Sequence, residues 1–276
     1  MALAVLLFSG AAGAAPLGLV ATIPPYAMLA EAVAGDAGEV HVLIRQGHDP
    51  HHYEPGSRDQ ARLESADLVI HNGLGSQHVE QVVRRSRAPR LSVADATTFE
   101  PIQDESGATN GHIWLDPEVM TQAATALAER LAELRPDSAE AFHERAADFR
   151  AAVDEADASI AEHLTDLPVR KVVTYHPGFD YYFRHYEMEV AGTYLDLRHN
   201  EPGPRQVAEL IESLRESAIP ALFGEPQLPS DSIRALADEA GVDVAELDPL
   251  GFSEEVADYP ELLLLNARRI VEAYGG

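Results

Sequence analysis

Short apolar runs alternate with amphipathic stretches along most of the chain. LGLVATI (17–23), EVHVLI (39–44), ADLVIHNG (66–73) and RLSVA (90–94) are dominated by aliphatic residues and bounded by polar or turn-forming ones, the pattern of strands buried in a sheet. Helices are predicted between and after them, near 25–34, 57–65 and 77–86. Asp116-Pro117 then supplies an N-cap aspartate and a first-turn proline, which open a further helix running to about Leu134.

From Pro136 to about Leu164 the pattern changes. Phe142, Phe149, Val153, Ile160 and Leu164 recur at spacings of seven and four, and neither glycine nor proline interrupts them. One helix of about eight turns is predicted, roughly 40 Å long, which exceeds what a crossover between two strands needs. Alternation resumes with VRKVVTYH (169–176), MEVAGTY (188–194), IPALFG (219–224) and VDVAEL (242–247), separated by helical stretches near 204–217, 230–240 and 254–273. Strand–helix alternation implies parallel sheets covered on both faces. The expected architecture is therefore α/β, with two βα domains, 16–135 and 166–276, joined by one long rigid α-helix over 136–165. No close internal repeat is visible, although both halves follow the same plan. Residues 100–111 form a polar loop containing glycine.

A length of 276 residues agrees with two domains rather than one. With 46 acidic against 20 basic residues the formal charge is −26, which repels nucleic acid and anionic lipid and favours cations in a general way. A nucleic-acid partner is excluded on this ground. Cysteine is absent, so disulfides, thiolate metal sites, cysteine nucleophiles and a lipid-modified cysteine anchor drop out together, and any metal must use N and O ligands. Ala2–Phe8 is apolar and SGAAGAA (9–15) follows, as in the hydrophobic and cleavage regions of a secretory signal that lacks its basic start. Residues 1–15 are read as a signal segment, with a disordered leader as the alternative. No other apolar stretch approaches the ~20 residues that span a bilayer, so the mature chain is expected free in a periplasm, without a lipid anchor.

Four motifs each place one metal-ligating residue beside a predicted strand end or helix start. They are His51 in GHDPHHYEP (47–55), His112 in GHIWLDP (111–117), His176 in VVTYHPGF (172–179) and Asp248 in VAELDPLG (244–251). In parallel α/β sheets ligands collect at the carboxyl ends of strands. Pro50, Pro177 and Pro249 stiffen the backbone beside three of the four, reducing the entropy lost on binding. A single His or Asp beside proline is more often a turn or capping residue than a ligand. Three imidazoles and a carboxylate together, however, complete a four-coordinate shell for Zn²⁺. Two come from each half, so the metal would lie in the cleft between domains.

The other histidines have plainer readings. His41 and His71 fall in strands and are expected as core or strand-end residues; His143, His163 and His185 fall on helices and are expected to face water. His48 and His52 are read as solvent-facing loop residues, with transient metal contact at the cleft rim as the alternative. His199, Glu54 and Glu225 are candidates for contacts that orient a ligating imidazole through its second nitrogen.

Taken in order, GHDPHHYEP, HIWLDP, HPGFDYYFRHY, EPGPRQVAELIESL and LADEAGVDVAELDPLG resemble the substrate-binding proteins of zinc and manganese ABC importers, the ZnuA-like group. The resemblance covers the chain from about residue 17 onward. It implies two βα domains on a backbone helix with the metal between them, and it matches the group's ligands to His51, His112, His176 and Asp248. The third ligand is typically glutamate in manganese-selective relatives and histidine in zinc proteins, which suits the ions' preferences; His176 therefore favours Zn²⁺, with Mn²⁺ as the alternative. Many zinc members carry a long His- and acid-rich loop before the second ligand. Here the loop before His112 is short and has no histidine, which puts loop-assisted capture in doubt.

The implied function is capture of zinc in the periplasm and delivery to the membrane permease of an ABC importer by a monomer. Whether a zinc metallochaperone loads the site stays open. Domain motion is expected to be limited by the rigid helix, with loops 47–56, 100–112 and 248–254 moving most. A zinc hydrolase with an open coordination position is the alternative from another class, although no HExxH, G-x-S-x-G or P-loop pattern occurs. A zinc buffer or adhesin without a transporter is a third.

Overall fold

A computed structural model of the chain describes residues 15–74, 78–104, 106–228 and 231–275. The expected signal segment lies almost wholly outside these. Strands β1 (Leu17–Ala21), β2 (Gly38–Val42), β3 (Leu68–His71) and β4 (Arg90–Ser92) form a sheet in the order β2-β1-β3-β4, parallel throughout. Strands β5 (Lys171–Thr174), β6 (Glu189–Thr193), β7 (Ala221–Gly224) and β8 (Asp243–Glu246) form a second, in the order β6-β5-β7-β8, again parallel. The halves thus share one topology. In each, the strand order reverses beside the first strand, and at such a point the loops leaving the carboxyl ends diverge and open a crevice. The interior strands β3 and β7 are buried at every position, which is why their sequences read as unbroken apolar runs.

Helices α1 (Pro24–Ala34), α2 (Ser57–Ser65), α3 (His78–Arg85) and the short α4 (Val93–Ala96) serve the first sheet. Helix α5 (Pro117–Leu134) starts where the sequence predicts, with the Asp116 carboxylate accepting the Glu118 N–H. Helix α6 (Ala139–Thr165) is the long one, 27 residues, entered through a 3₁₀ turn at Pro136–Ser138. Its buried stripe is Phe142, Ala146, Phe149, Val153, Ala156, Ile160 and Leu164. Helices α7 (Asp180–His185), α8 (Pro204–Glu216), α9 (Asp231–Ala240) and α10 (Tyr259–Ala273) complete the second half. Helix α10 begins later than its apolar pattern suggests, because Asp258 caps Glu261 N–H and Pro260 stands in the first turn. Loop 100–111 is less irregular than expected: Gln103 and Thr109 pair as an antiparallel bridge, and Asp104 accepts the N–H groups of Ser106 and Ala108.

Helix α6 packs on α1 and α5 from one half and on α10 from the other. One apolar core therefore runs from the first sheet through α5 and α6 to Tyr181, Tyr182, Leu247, Tyr259 and Ile270. A smaller core, with Val173, Leu214, Leu222, Ile233 and Leu236, lies between the second sheet and helices α8 and α9. Hydrogen bonds also tie the halves near the crevice: Trp114 Nε1–H to Pro249 O at 2.7 Å, Tyr259 O–H to Trp114 O at 2.7 Å, and Gln46 Nε2–H to Phe252 O at 2.9 Å. Among the described residues no helix is long and apolar enough to cross a membrane.

Candidate metal-binding site

Each converging histidine is aimed by its own local structure. His51 lies in the loop after β2, where the Asp49 carboxylate accepts its N–H at 2.9 Å. His112 stands just before a 3₁₀ turn at Ile113–Leu115, and both its N–H and its Nδ1 point at Asn110 Oδ1, at 2.9 and 2.7 Å. The Asn110 amide nitrogen donates to Pro177 O at 2.7 Å and to Asp180 Oδ2 at 3.2 Å, so its oxygen must be the acceptor. His112 Nδ1 then carries the hydrogen and Nε2 keeps a free lone pair. His176 follows β5 by two residues, and its Nδ1 lies 2.9 Å from Glu225 Oε1, with both side chains buried. An ionised carboxylate only accepts, so Nδ1 is again the donor. His176 Nε2 is buried and has no hydrogen-bond partner among the described residues. A ring anchored through one nitrogen and offering the other is how metal-ligating histidines are held.

The rings meet in the crevice. Centroids lie 5.4 Å apart for His51 and His112, 4.9 Å for His51 and His176, and 4.7 Å for His112 and His176. A fourth imidazole, His199, joins them at 4.0 Å from His51 and 4.7 Å from His176. One nitrogen from each of His51, His176 and His199 falls within 4.8 Å of the others. Imidazole nitrogens about 2.0–2.1 Å from a tetrahedral zinc would be roughly 3.4 Å apart, so small side-chain adjustments would close the set around an ion. Burial, reinforced by the neighbouring rings, holds His51 and His112 well below the ordinary histidine range and takes His199 down to about 4. These rings are neutral near pH 7, the form that ligates metal.

Asp248 is occupied differently. It is fully buried; Oδ1 accepts the N–H groups of Leu250 at 3.0 Å and Gly251 at 2.8 Å, and Oδ2 accepts that of Ser253 at 2.7 Å. Asn266 holds its backbone, taking the Asp248 N–H at 2.7 Å and donating to its carbonyl at 2.8 Å. Neither its oxygens nor a His112 nitrogen belongs to the donor group that His199 shares with His51 and His176. The rings of the three expected histidine ligands lie together, and the carboxylate of the fourth, Asp248, also ties the turn after β8.

The remaining candidates separate cleanly. Glu225 is the partner of His176, whereas Glu54 is exposed and pairs with His78 at 3.1 Å. His71 is buried on Glu80 at 2.8 Å, as a strand-end residue. His185 does not simply face water: its Nε2 meets Asp157 at 2.8 Å across the packing of α7 on α6. Sequence reasoning missed Asn110, and it also missed Asp180, whose carboxyl burial pushes up to about 6. The available signal was position: Asn110 stands two residues before His112, and Asp180 is the first residue of α7, four after His176.

A family model described as "Zinc-uptake complex component A periplasmic" matches residues 19–273. The chain belongs to this family. Its members are binding components of metal importers rather than enzymes, so the hydrolase alternative lapses. The zinc-uptake family chain is 30% identical over 263 residues to the zinc-binding protein TroA of Treponema pallidum, covering 90% of this chain and 84% of that protein. It is 24% identical over 273 residues to the manganese ABC transporter substrate-binding lipoprotein PsaA of Streptococcus anginosus, covering 93% and 88%. In structure it is similar to a zinc-bound ZnuA deletion mutant, with a TM-score of 0.84, 29% identity, and coverage of 94% of this chain and 98% of that one.

Proposed function

We propose that this protein captures Zn²⁺ outside the cytoplasmic membrane and hands it to the permease of an ABC importer, with His51, His112 and His176 as the core ligands. The observation that carries this is the buried, unpartnered Nε2 of His176, facing two further imidazoles while Glu225 anchors its other nitrogen. A neutral, nitrogen-rich donor set suits zinc better than manganese, which prefers oxygen. The manganese reading has the PsaA relatives in its favour. Two residues compete for the fourth position. Asp248 is the ligand implied by the family resemblance, and with three N–H groups on its two oxygens it keeps an acceptor site for a metal; His199 already stands with the core rings. The units 16–135 and 166–276 would supply ligands from both sides of the crevice, in a periplasmic monomer.

The test is native mass spectrometry on metal-stripped protein given equimolar Zn²⁺ with excess Mn²⁺. One retained zinc, absent in His176→Ala, is the expected result. Retention of manganese instead would overturn the choice of ion, and retention of neither would overturn metal capture.

A further inference from the structure

His199 belongs to two potential donor groups at once. On its inner side its ring stands 4.0 Å from His51 and 4.7 Å from His176. On its outer side it forms a second group with Asp49 and His52, whose ligand atoms again lie within 4.8 Å of one another. His51 and His52 are adjacent in sequence, so the same loop presents one imidazole inward and the next outward. The inner group is largely buried, whereas the His52 side chain is 73% exposed and Asp49 24% exposed. The two groups thus form a graded path from the rim of the crevice to its floor, with one ring common to both.

The conformation of His199 supports a ligand role. Its φ of 63° lies in the left-handed region that favours glycine or asparagine. The turn is held without any need for a histidine: Asp196 accepts the N–H groups of Arg198 and Asn200, each at 2.8 Å, and the Asn200 amide at 2.7 Å. Its Nε2 is buried and has no hydrogen-bond partner among the described residues. A strained backbone bearing an imidazole with an orphaned nitrogen is a residue kept for what its side chain binds.

Building on the metal-capture reading, we propose that Asp49, His52 and His199 form a second, rim site for a divalent cation, and that His199 passes the ion between this site and the inner histidines by ligand exchange. No bond to the ion need be lost before the next is made, because His199 stays attached while Asp49 and His52 are traded for His51 and His176. The same route run backwards serves release.

The experiment uses metal-stripped full-length protein and Zn²⁺ alone, followed by stopped-flow fluorescence of Trp114, the sole tryptophan, whose ring lies 5.0 Å from that of His112. Asp49→Asn and His52→Ala are expected to slow association and chelator-driven dissociation together, by about tenfold, as loss of a way-station on an electrostatically favoured path demands. His48→Ala, on a ring outside both groups, should keep wild-type rates. His199→Gly should weaken zinc binding at least tenfold and alter the Co²⁺ absorption spectrum, with no loss of melting temperature in the metal-free protein because glycine relieves the backbone. Wild-type rates in Asp49→Asn and His52→Ala, or faster dissociation with unchanged association, would overturn the relay. So would wild-type zinc affinity in His199→Gly, or a slowing in His48→Ala as large as in His52→Ala. If the wild-type protein takes up no zinc, the metal-capture reading itself fails and this inference with it.

Discussion

Glu225 and Asp248 are both buried acids near the crevice, yet their surroundings give them different work. Glu225 meets an imidazole, so Glu225→Ala is expected to lower zinc affinity by about 10- to 100-fold by freeing the His176 ring; chelator competition measures it, and unchanged affinity would mean that the ring is held by packing alone. Asp248 meets backbone N–H groups. Asp248→Ala should cost about 2–3 kcal/mol of stability in urea unfolding, since three donors lose their acceptor. Loss of zinc without loss of stability would instead make Asp248 a ligand. His185 is the residue with a clear pH signature. Burial alone would depress it, but the hydrogen bond and charge of Asp157 win and its pKa is raised. A raised folded-state pKa contributes stability that is fully present below the unfolded value of about 6.5 and disappears as pH rises through the folded value. Melting temperature should therefore fall on going from mildly acidic to mildly alkaline pH more steeply in wild type than in His185→Gln. Parallel profiles would disprove the ion pair's contribution.

At the scale of elements, strand and helix positions were legible because burial on both faces writes continuous apolar runs, and because Asp116-Pro117 carries its own start signal. The late start of α10 is a local effect of Asp258 and Pro260 overriding an apolar pattern. The short helix α7 was read only through His185, without bounds, because PGFDYYFRHY is too brief to show a period. The long α6 was legible from its spacing, but which neighbours it meets was not. Ile160 faces the shared core and is fully buried. Ile160→Ala should cost about 2–5 kcal/mol, read as a shift in the urea midpoint; a change below 1 kcal/mol would show that the stripe is not packed as described. In the turn after β5, a Cβ at Gly178 would stand 3.0 Å from His176 Nδ1 and 3.1 Å from Glu225 Oε1. Gly178→Ala should therefore weaken zinc binding through that pair, and wild-type affinity would count against it.

For the whole molecule, one core, α6 and buried hydrogen bonds such as Trp114 to Pro249 connect the halves. Large hinge opening would break all of these together. Scattering profiles of metal-free and zinc-loaded protein are expected to agree closely, while hydrogen exchange slows on loading in loops 47–56 and 196–202. A marked change in radius of gyration would reverse that picture.

Composition and pattern alone determined the α/β class, the parallel sheets, the long helix and the exclusion of thiolate chemistry, because these follow from burial periodicity and from which residue types exist. The histidines of the three core motifs stood out in the sequence only as a set able to fill a zinc shell and through the family resemblance, since each alone, beside a proline or a helix start, reads more readily as a turn or capping residue. Only the tertiary structure decided that His199 stands in the same crevice, that Glu225 and Asn110 orient two of the rings, and that the Asp248 carboxylate accepts three backbone N–H groups of its own turn. Those facts depend on distances between loops far apart in sequence, and on which backbone donors a buried carboxylate must satisfy. Neither leaves a mark on the order of residues.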